Sequence, residues 1–211
     1  MFYHYGKGDC VVVKILAEQV LALDVDGAAS NVTATFLDLL KKKNQQIYVH
    51  SQQVANYAVS IAAKMYLPAE DISRIKVAAL LHDIGKLAIP NAIFDKFPYL
   101  STRELSAYKK HCHLGASMLE NMPEFQNIIP YIHFHHENWD GTGFPKRLKG
   151  VNIPLGARII SVADHYDRHV NPCTRKWQKN NKTAVEEIKK LSGSTFDPEV
   201  VKAFIKTLAD N

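Results

Sequence analysis

From Val32 onward the apolar residues recur at helical spacing. Val54, Ala58, Ile61 and Met65 lie three and four residues apart and mark one buried stripe on a helix. His50 precedes Val54 by four residues and shares that inward stripe. Pro68 should end this helix, with Asp71 opening the next region. Ile75 to Leu81 is apolar nearly all round, the pattern of a helix inside a bundle, with His82 and Asp83 at its end and Gly85 as its stop. Ser101 followed by Glu104 predicts a capping box, starting a helix that runs through His111 to Leu119. A further helix is expected over Ile128 to His136, then a turn-rich loop from Asp140 to Pro145, then another helix over Leu155 to Asp167. Asp197-Pro198 reads as an N-cap with proline in the first helical position, opening a last helix through Leu208.

Residues 1–31 form an N-terminal extension of unassigned role, and 32–211 the main domain. In the extension Val11-Val12-Val13 fits a strand and Ile15 to Leu23 a short helix, and periodicity does not decide between them. Asp26 to Asn31 has the composition of a linker or loop. Strand signals are lacking after Asn31, so the expected fold class is all-α.

Composition narrows the function classes. A chain of 211 residues with 46% hydrophobic and 22% charged residues is an ordinary soluble domain that can bury a real core. The most apolar early stretch, Val11 to Val25, is broken by Lys14, Glu18 and Asp24, so no membrane span is expected. Met1 to Tyr5 lacks a basic region and no small-residue cleavage site follows, which does not fit a signal peptide. Three scattered cysteines, Cys10, Cys112 and Cys173, argue for a reducing compartment, and the expected location is cytoplasmic. A net charge of +5 helps attract a phosphate-bearing substrate but is too modest and too spread out for a nucleic acid polymer. Lys41-Lys42-Lys43 reads as a solvated helix face.

Seven residues carry the candidate chemistry: His50, His82, Asp83, His111, His135, His136 and Asp164. Each lies in or at the end of an apolar helix, where unpaired imidazoles and carboxylates are expensive to bury. Metal ions resolve that cost by taking the imidazole nitrogens and carboxylate oxygens as ligands. Five histidines and two aspartates suffice for two ions with one bridging carboxylate, and Asp83, directly after His82, is the candidate bridge. Two such ions would hold a bridging hydroxide for in-line attack at phosphorus. Nitrogen and oxygen donors without thiolate suit iron, manganese, zinc, cobalt or nickel. Lys86, four residues after His82, would point toward the same mouth and hold a phosphate oxygen.

These motifs resemble the HD domain superfamily of metal-dependent phosphohydrolases, and more closely its HD-GYP branch. The matching segments run in order from Tyr48 to Ala55, His82-Asp83-Ile84-Gly85-Lys86, Ile89-Pro90 with Leu100, His111 with Gly115-Ala116, His135 to Pro145, Ala157 to Asp164, and Phe196 to Val201. The resemblance implies an HD-type helical bundle, an iron or manganese centre, and hydrolysis of cyclic di-GMP, with the seven residues as metal ligands. It makes Asp83 and Lys86 the catalytic pair and assigns substrate contacts to Lys86, Phe144, Arg175 and Lys176. Three positions depart from the pattern. Gln46 stands where members with a third metal carry glutamate, which implies two divalent ions. Phe144 replaces the tyrosine of the GYP loop and removes its phenol hydrogen bond. Cys173 falls about where an arginine is expected. The competing readings are hydrolysis of another cyclic dinucleotide or a nucleotide phosphate, and a signalling module of low turnover that docks a protein on the Gly141 to Pro145 loop. The expected partners are therefore a cyclic dinucleotide, a docking protein on that loop and a second copy of the chain, without membrane.

Overall fold

The structure, a computed structural model, describes residues 27–94, 96, 99–171 and 180–209. Its elements are helical: α1 (Gly27–Lys43), α2 (Gln45–Lys64), α3 (Ala69–Leu81), the short α4 (Asn91–Phe94), α5 (Thr102–Lys109), α6 (His111–Leu119), α7 (Ile129–Phe134), α8 (Leu155–Val170), α9 (Asn181–Lys190) and α10 (Pro198–Ala209). Short 3-10 turns fill Ile84–Ala88, Pro123–Phe125 and Gly150–Asn152. Among the described residues the only extended pairing is an isolated bridge between Ser192 and Phe196. The all-α expectation holds for these residues.

The centre of the bundle is α2, which packs against α1, α3, α8 and α10. Asn44 caps it, its side-chain oxygen accepting from the backbone N–H groups of Gln46 and Ile47 at 2.8 and 3.3 Å. Val54, Ala58 and Ile61 are fully buried as the stripe predicts, and Met65 packs on the same core from a partly buried position. Ala55, Ala58 and Ala62 are buried on this helix and let its neighbours approach closely. Leu81 at the end of α3, Ile84 at the start of the following 3-10 turn, and Ile159 and Ile160 of α8 complete the core around it.

Four boundaries differ from the sequence expectation. Gly27 to Asn31 is not a linker but the first turns of α1; Gly, Ser and Asn suit a helix start as well as a loop, and the buried Thr33 and Leu40 dock α1 on the core. The third helix starts at Ala69, before Asp71, so that Glu70 and Asp71 lie in its first turn, facing the positive end of the helix dipole. The long helix expected from Ser101 to Leu119 is two helices broken at Lys110. The capping box at its start is present, with Ser101 and Glu104 satisfying each other's backbone N–H groups. The break releases the Tyr108 carbonyl to accept from His111 Nδ1 at 2.8 Å, which turns the first residue of α6 inward while α5 stays on the surface. Finally, Gly85 is not a helix stop: α3 ends at Leu81 and Gly85 lies inside the following 3-10 turn. A Cβ there would stand 1.9 Å from the His111 carbonyl oxygen and 2.5 Å from the Gly115 nitrogen, so close backbone approach requires glycine.

The α9 helix was not anticipated. Its signals are an Asn180 cap, which accepts from the Thr183 N–H at 2.8 Å, and buried Ala184 and Ile188 at helical spacing. The last helix matches expectation: Asp197 Oδ1 accepts from the Glu199 N–H at 2.9 Å, and Oδ2 pairs with Arg158. No helix among the described residues is long and apolar enough to cross a membrane.

Candidate metal centre

Six of the seven candidate ligands come to one buried locus because five helices end or cross there, and the seventh, His136, joins them beside His135. His50 comes from α2, Asp164 from α8 and His111 from the start of α6. His82 and Asp83 follow α3, and His135 and His136 follow α7. His82, Asp83, His111 and His135 are fully buried, and Asp164 nearly so.

The histidines are oriented by what their other ring nitrogen meets. Nδ1 of His82 donates to the Ala79 carbonyl at 2.7 Å, Nδ1 of His111 to Tyr108 at 2.8 Å, and Nδ1 of His135 to Ile132 at 2.7 Å. Nδ1 of His50 lies 2.6 Å from Asp167 Oδ2. Each partner leaves Nε2 as the atom facing the centre, the arrangement that prepares an imidazole to ligate.

Two groups of donors form around Asp83. On one side His50, His82 and Asp164 converge, and on the other His111, His135 and His136, each group with donor atoms within 4.8 Å of one another. Asp83 stands between them: Oδ2 is 3.3 Å from His82 Nε2 and 3.9 Å from His50 Nε2, while Oδ1 is 3.5 Å from His111 Nε2. His82 Nε2, Asp83 Oδ1 and His135 Nε2 are buried without a hydrogen-bond partner. Orphaned donor atoms of this kind, all nitrogen or carboxylate oxygen, fit divalent cations.

The electrostatics divide along the same line. Burial alone would depress the His82 pKa, but the Asp83 and Asp164 carboxylates outweigh it and raise it to about 9. Burial lowers His111 to about 4, and burial with neighbouring imidazoles drives His135 and His136 well below their ordinary value. Burial opposes ionisation of Asp83, yet Lys86 and His82 hold its carboxyl well below the usual range. One half of the site is therefore rich in charge and the other in neutral imidazole, and a metal held in the first half would have to displace the His82 proton.

The remaining sequence candidates fall as follows. Lys86 does not stand at an open mouth: it is 4% exposed, its ammonium pairs with Asp83, and it lies 5.4 Å from the Tyr108 ring centroid. Phe144 stacks on His136 with ring centroids 4.9 Å apart, so its loop folds onto the site. Glu137, nearly fully buried, holds that loop by accepting from the N–H groups of Lys146 and Leu148 at 2.6 and 3.0 Å. Gln46 lines a cavity of about 180 Å³ beside His50 and Asp167. Arg175, Lys176 and Cys173 lie outside the described residues.

Three neighbours were missed in the sequence. Asp167 orients His50, and Arg168 places Nε 2.7 Å from Asp164 Oδ1 and Nη2 3.9 Å from Asp83 Oδ2. Their signal was the helical spacing of three and four residues from Asp164. Cys112 Sγ lies 3.5 Å from His111 Nε2, but burial and the Asp83 charge push its thiol far above the ordinary range, leaving a neutral neighbour.

Comparison with known proteins places the chain in a family. The HD domain family model matches residues 34–200. The chain is 36% identical over 170 residues to a cyclic di-GMP phosphodiesterase of Thermotoga maritima, covering 80% of this chain and 46% of that protein. It is 29% identical over 188 residues to the 3'3'-cGAMP-specific phosphodiesterase 2 of Vibrio cholerae, covering 88% of this chain and 36% of that protein. Among solved structures, the cyclic GMP-AMP specific phosphodiesterase V-cGAP3 of V. cholerae shares the fold with a TM-score of 0.66 at 19% identity, over 84% of this chain and 48% of that one. The chain thus spans about half or less of the length of these relatives.

Proposed function

Since the chain belongs to the HD domain family, in its HD-GYP branch, we propose that it is a metal-dependent phosphodiesterase that hydrolyses a cyclic dinucleotide, cyclic di-GMP first among them. The observation that carries this reading is the placement of Asp83 between two histidine groups, with one carboxylate oxygen toward each. His50, His82 and Asp164 would hold one divalent ion, His111, His135 and His136 the other, and Asp83 both. Iron or manganese suits these donors. Metals bound there supply Lewis acidity and an activated water for in-line attack at phosphorus.

The chain's own residues supply the rest. Asp167 and the backbone carbonyls of Ala79, Tyr108 and Ile132 fix the ring nitrogens. Lys86 and Arg168 bring two positive charges beside the carboxylates, where their N–H groups would offer charge-assisted hydrogen bonds to a phosphate. Phe144 lays its ring face on His136, and Lys109 lies 4.8 Å from its centroid. The absence of a phenol hydroxyl there favours one second reading, a different cyclic dinucleotide as substrate. Arg175 and Lys176 remain proposed substrate contacts on the strength of the family pattern.

The test is anaerobic purification, a count of metals per chain, and turnover with iron(II) or manganese(II) on cyclic di-GMP, 3'3'-cGAMP and cyclic di-AMP in parallel. Two metals per chain and linear products from cyclic di-GMP are expected. Turnover of another member of the panel alone would move the assignment to the second reading. Two bound metals with no turnover of any would overturn the enzymatic proposal and leave a binding module.

A further inference from the structure

A second group of donors lies outside the metal centre. His165 and His169 occupy positions four apart on α8, and Glu187 faces them from α9. Their donor atoms all lie within 4.8 Å of one another, with His165 Nε2 3.9 Å from Glu187 Oε1 and His169 Nε2 3.6 Å from Oε2. The two ring centroids are 4.2 Å apart, with the planes tilted by 35°. Asp164 and Arg168 each precede one of these histidines by a single residue, so a rotation of about 100° around α8 separates this group from the catalytic face.

The orientation is built in. His169 Nδ1 donates to the His165 carbonyl at 2.7 Å, which leaves Nε2 as the donor atom turned toward Glu187. The Phe196 ring meets the His165 ring edge-on at 5.1 Å and forms an apolar wall behind it. The three side chains are 24%, 22% and 32% exposed, shielded enough to be ordered yet open to an ion from solvent. Two histidines four apart on a helix, with a carboxylate from a neighbouring element, form a common three-ligand set for a tetrahedral ion with water in the fourth position.

We propose that His165, His169 and Glu187 form a separate binding site for a borderline divalent ion, zinc above all, that clips α9 to α8. Two imidazoles and one carboxylate suit zinc better than the hard, oxygen-seeking magnesium or calcium. The clip acts on the helix that carries Asp164, Asp167 and Arg168, so it steadies one wall of the metal centre from behind. The site does not depend on the proposed reaction.

Zinc itself is the probe. The full chain, with its principal centre first loaded with manganese(II), is titrated with zinc, and bound zinc and the unfolding temperature are measured. The same titration is run on the His165→Gln/His169→Gln double variant and on Glu187→Gln. Wild type is expected to bind one zinc equivalent more than the double variant and to gain thermal stability that the variant does not. Glu187→Gln, which leaves both rings in place, should weaken that equivalent about tenfold or more, the scale of losing even a supporting group around a metal. Manganese content should be equal in all three. Equal zinc binding and equal thermal response in wild type and Glu187→Gln would overturn the proposal, even if the double variant failed to fold.

Discussion

Asp83 is a charged residue with no exposed surface, and in the metal-free protein its neutralising partner is Lys86. A buried pair of this kind punishes removal of one member more than removal of both, because the survivor is left charged and desolvated. Asp83→Ala should therefore do more than abolish metal binding: it should destabilise the metal-free protein by about 3–5 kcal/mol. Adding Lys86→Met should restore most of that loss without restoring metal. Denaturant unfolding of the single and double variants, with chelator present, checks both statements. An Asp83→Ala protein as stable as wild type would mean that the ammonium finds another partner. The seven ligand candidates were legible in the sequence because histidine and aspartate stand out against apolar helices. The buried pairing of Lys86 was not, since it depends on the 3-10 turn that replaces a continued helix after Leu81. Asp167 and Arg168 lie on the same helix as Asp164, but their roles arise only when α2 and α3 bring His50 and Asp83 against them.

At the level of elements, the contact between the 3-10 turn and α6 decides whether the two histidine groups meet. Gly85 and Gly115 make that contact backbone to backbone, and a Cβ on Gly85 would collide with the His111 carbonyl and the Gly115 nitrogen. Neither is the end of a flexible side chain, so α6 must move as a unit and carry His111 with it. Gly85→Ala is expected to cost at least about 1–3 kcal/mol, the range for overpacking a close-packed site. It should also bind fewer metals per chain than wild type. Gly115→Ala, whose nearest contacts are 3.2 Å to Gly85 N and 3.3 Å to an Ile132 methyl, should cost less in both measures. Metal analysis alongside denaturant midpoints tests the pair, and wild-type values for Gly85→Ala would show that α6 does not pack this closely. The helices themselves were readable from their apolar stripes and caps. Their limits at Gly27 and Lys110 were not, because docking of Thr33 and Leu40 settles one and the demand of His111 for the Tyr108 carbonyl settles the other.

For the whole molecule, the candidate donors belong to α2, α6 and α8 and to the segments just after α3 and α7, so no single helix pair could hold the proposed ions alone. Without metal the bundle holds three neutral imidazoles on one side and a charge-dense group on the other, with several donor atoms unpaired. Metal binding at the proposed centre would answer that deficit only in the folded state, and its free energy would therefore add to folding stability. At a free metal concentration about a thousand times the dissociation constant, the gain is about 4 kcal/mol. For a domain of this size each kcal/mol moves the unfolding midpoint by about 2–4 °C, so a rise of roughly 8–16 °C is expected on adding manganese(II) to chelated protein. Because the proposed ligands tie most of the bundle together, the transition should shift as one unit when followed both by helical circular dichroism and by tryptophan fluorescence in a Trp177→Phe background, where the signal comes from Trp139 in the loop after His136. A shift seen by one probe and absent from the other would mean that the ions brace only the α6–α7 side, and that the bundle does not fold and bind as a single cooperative structure.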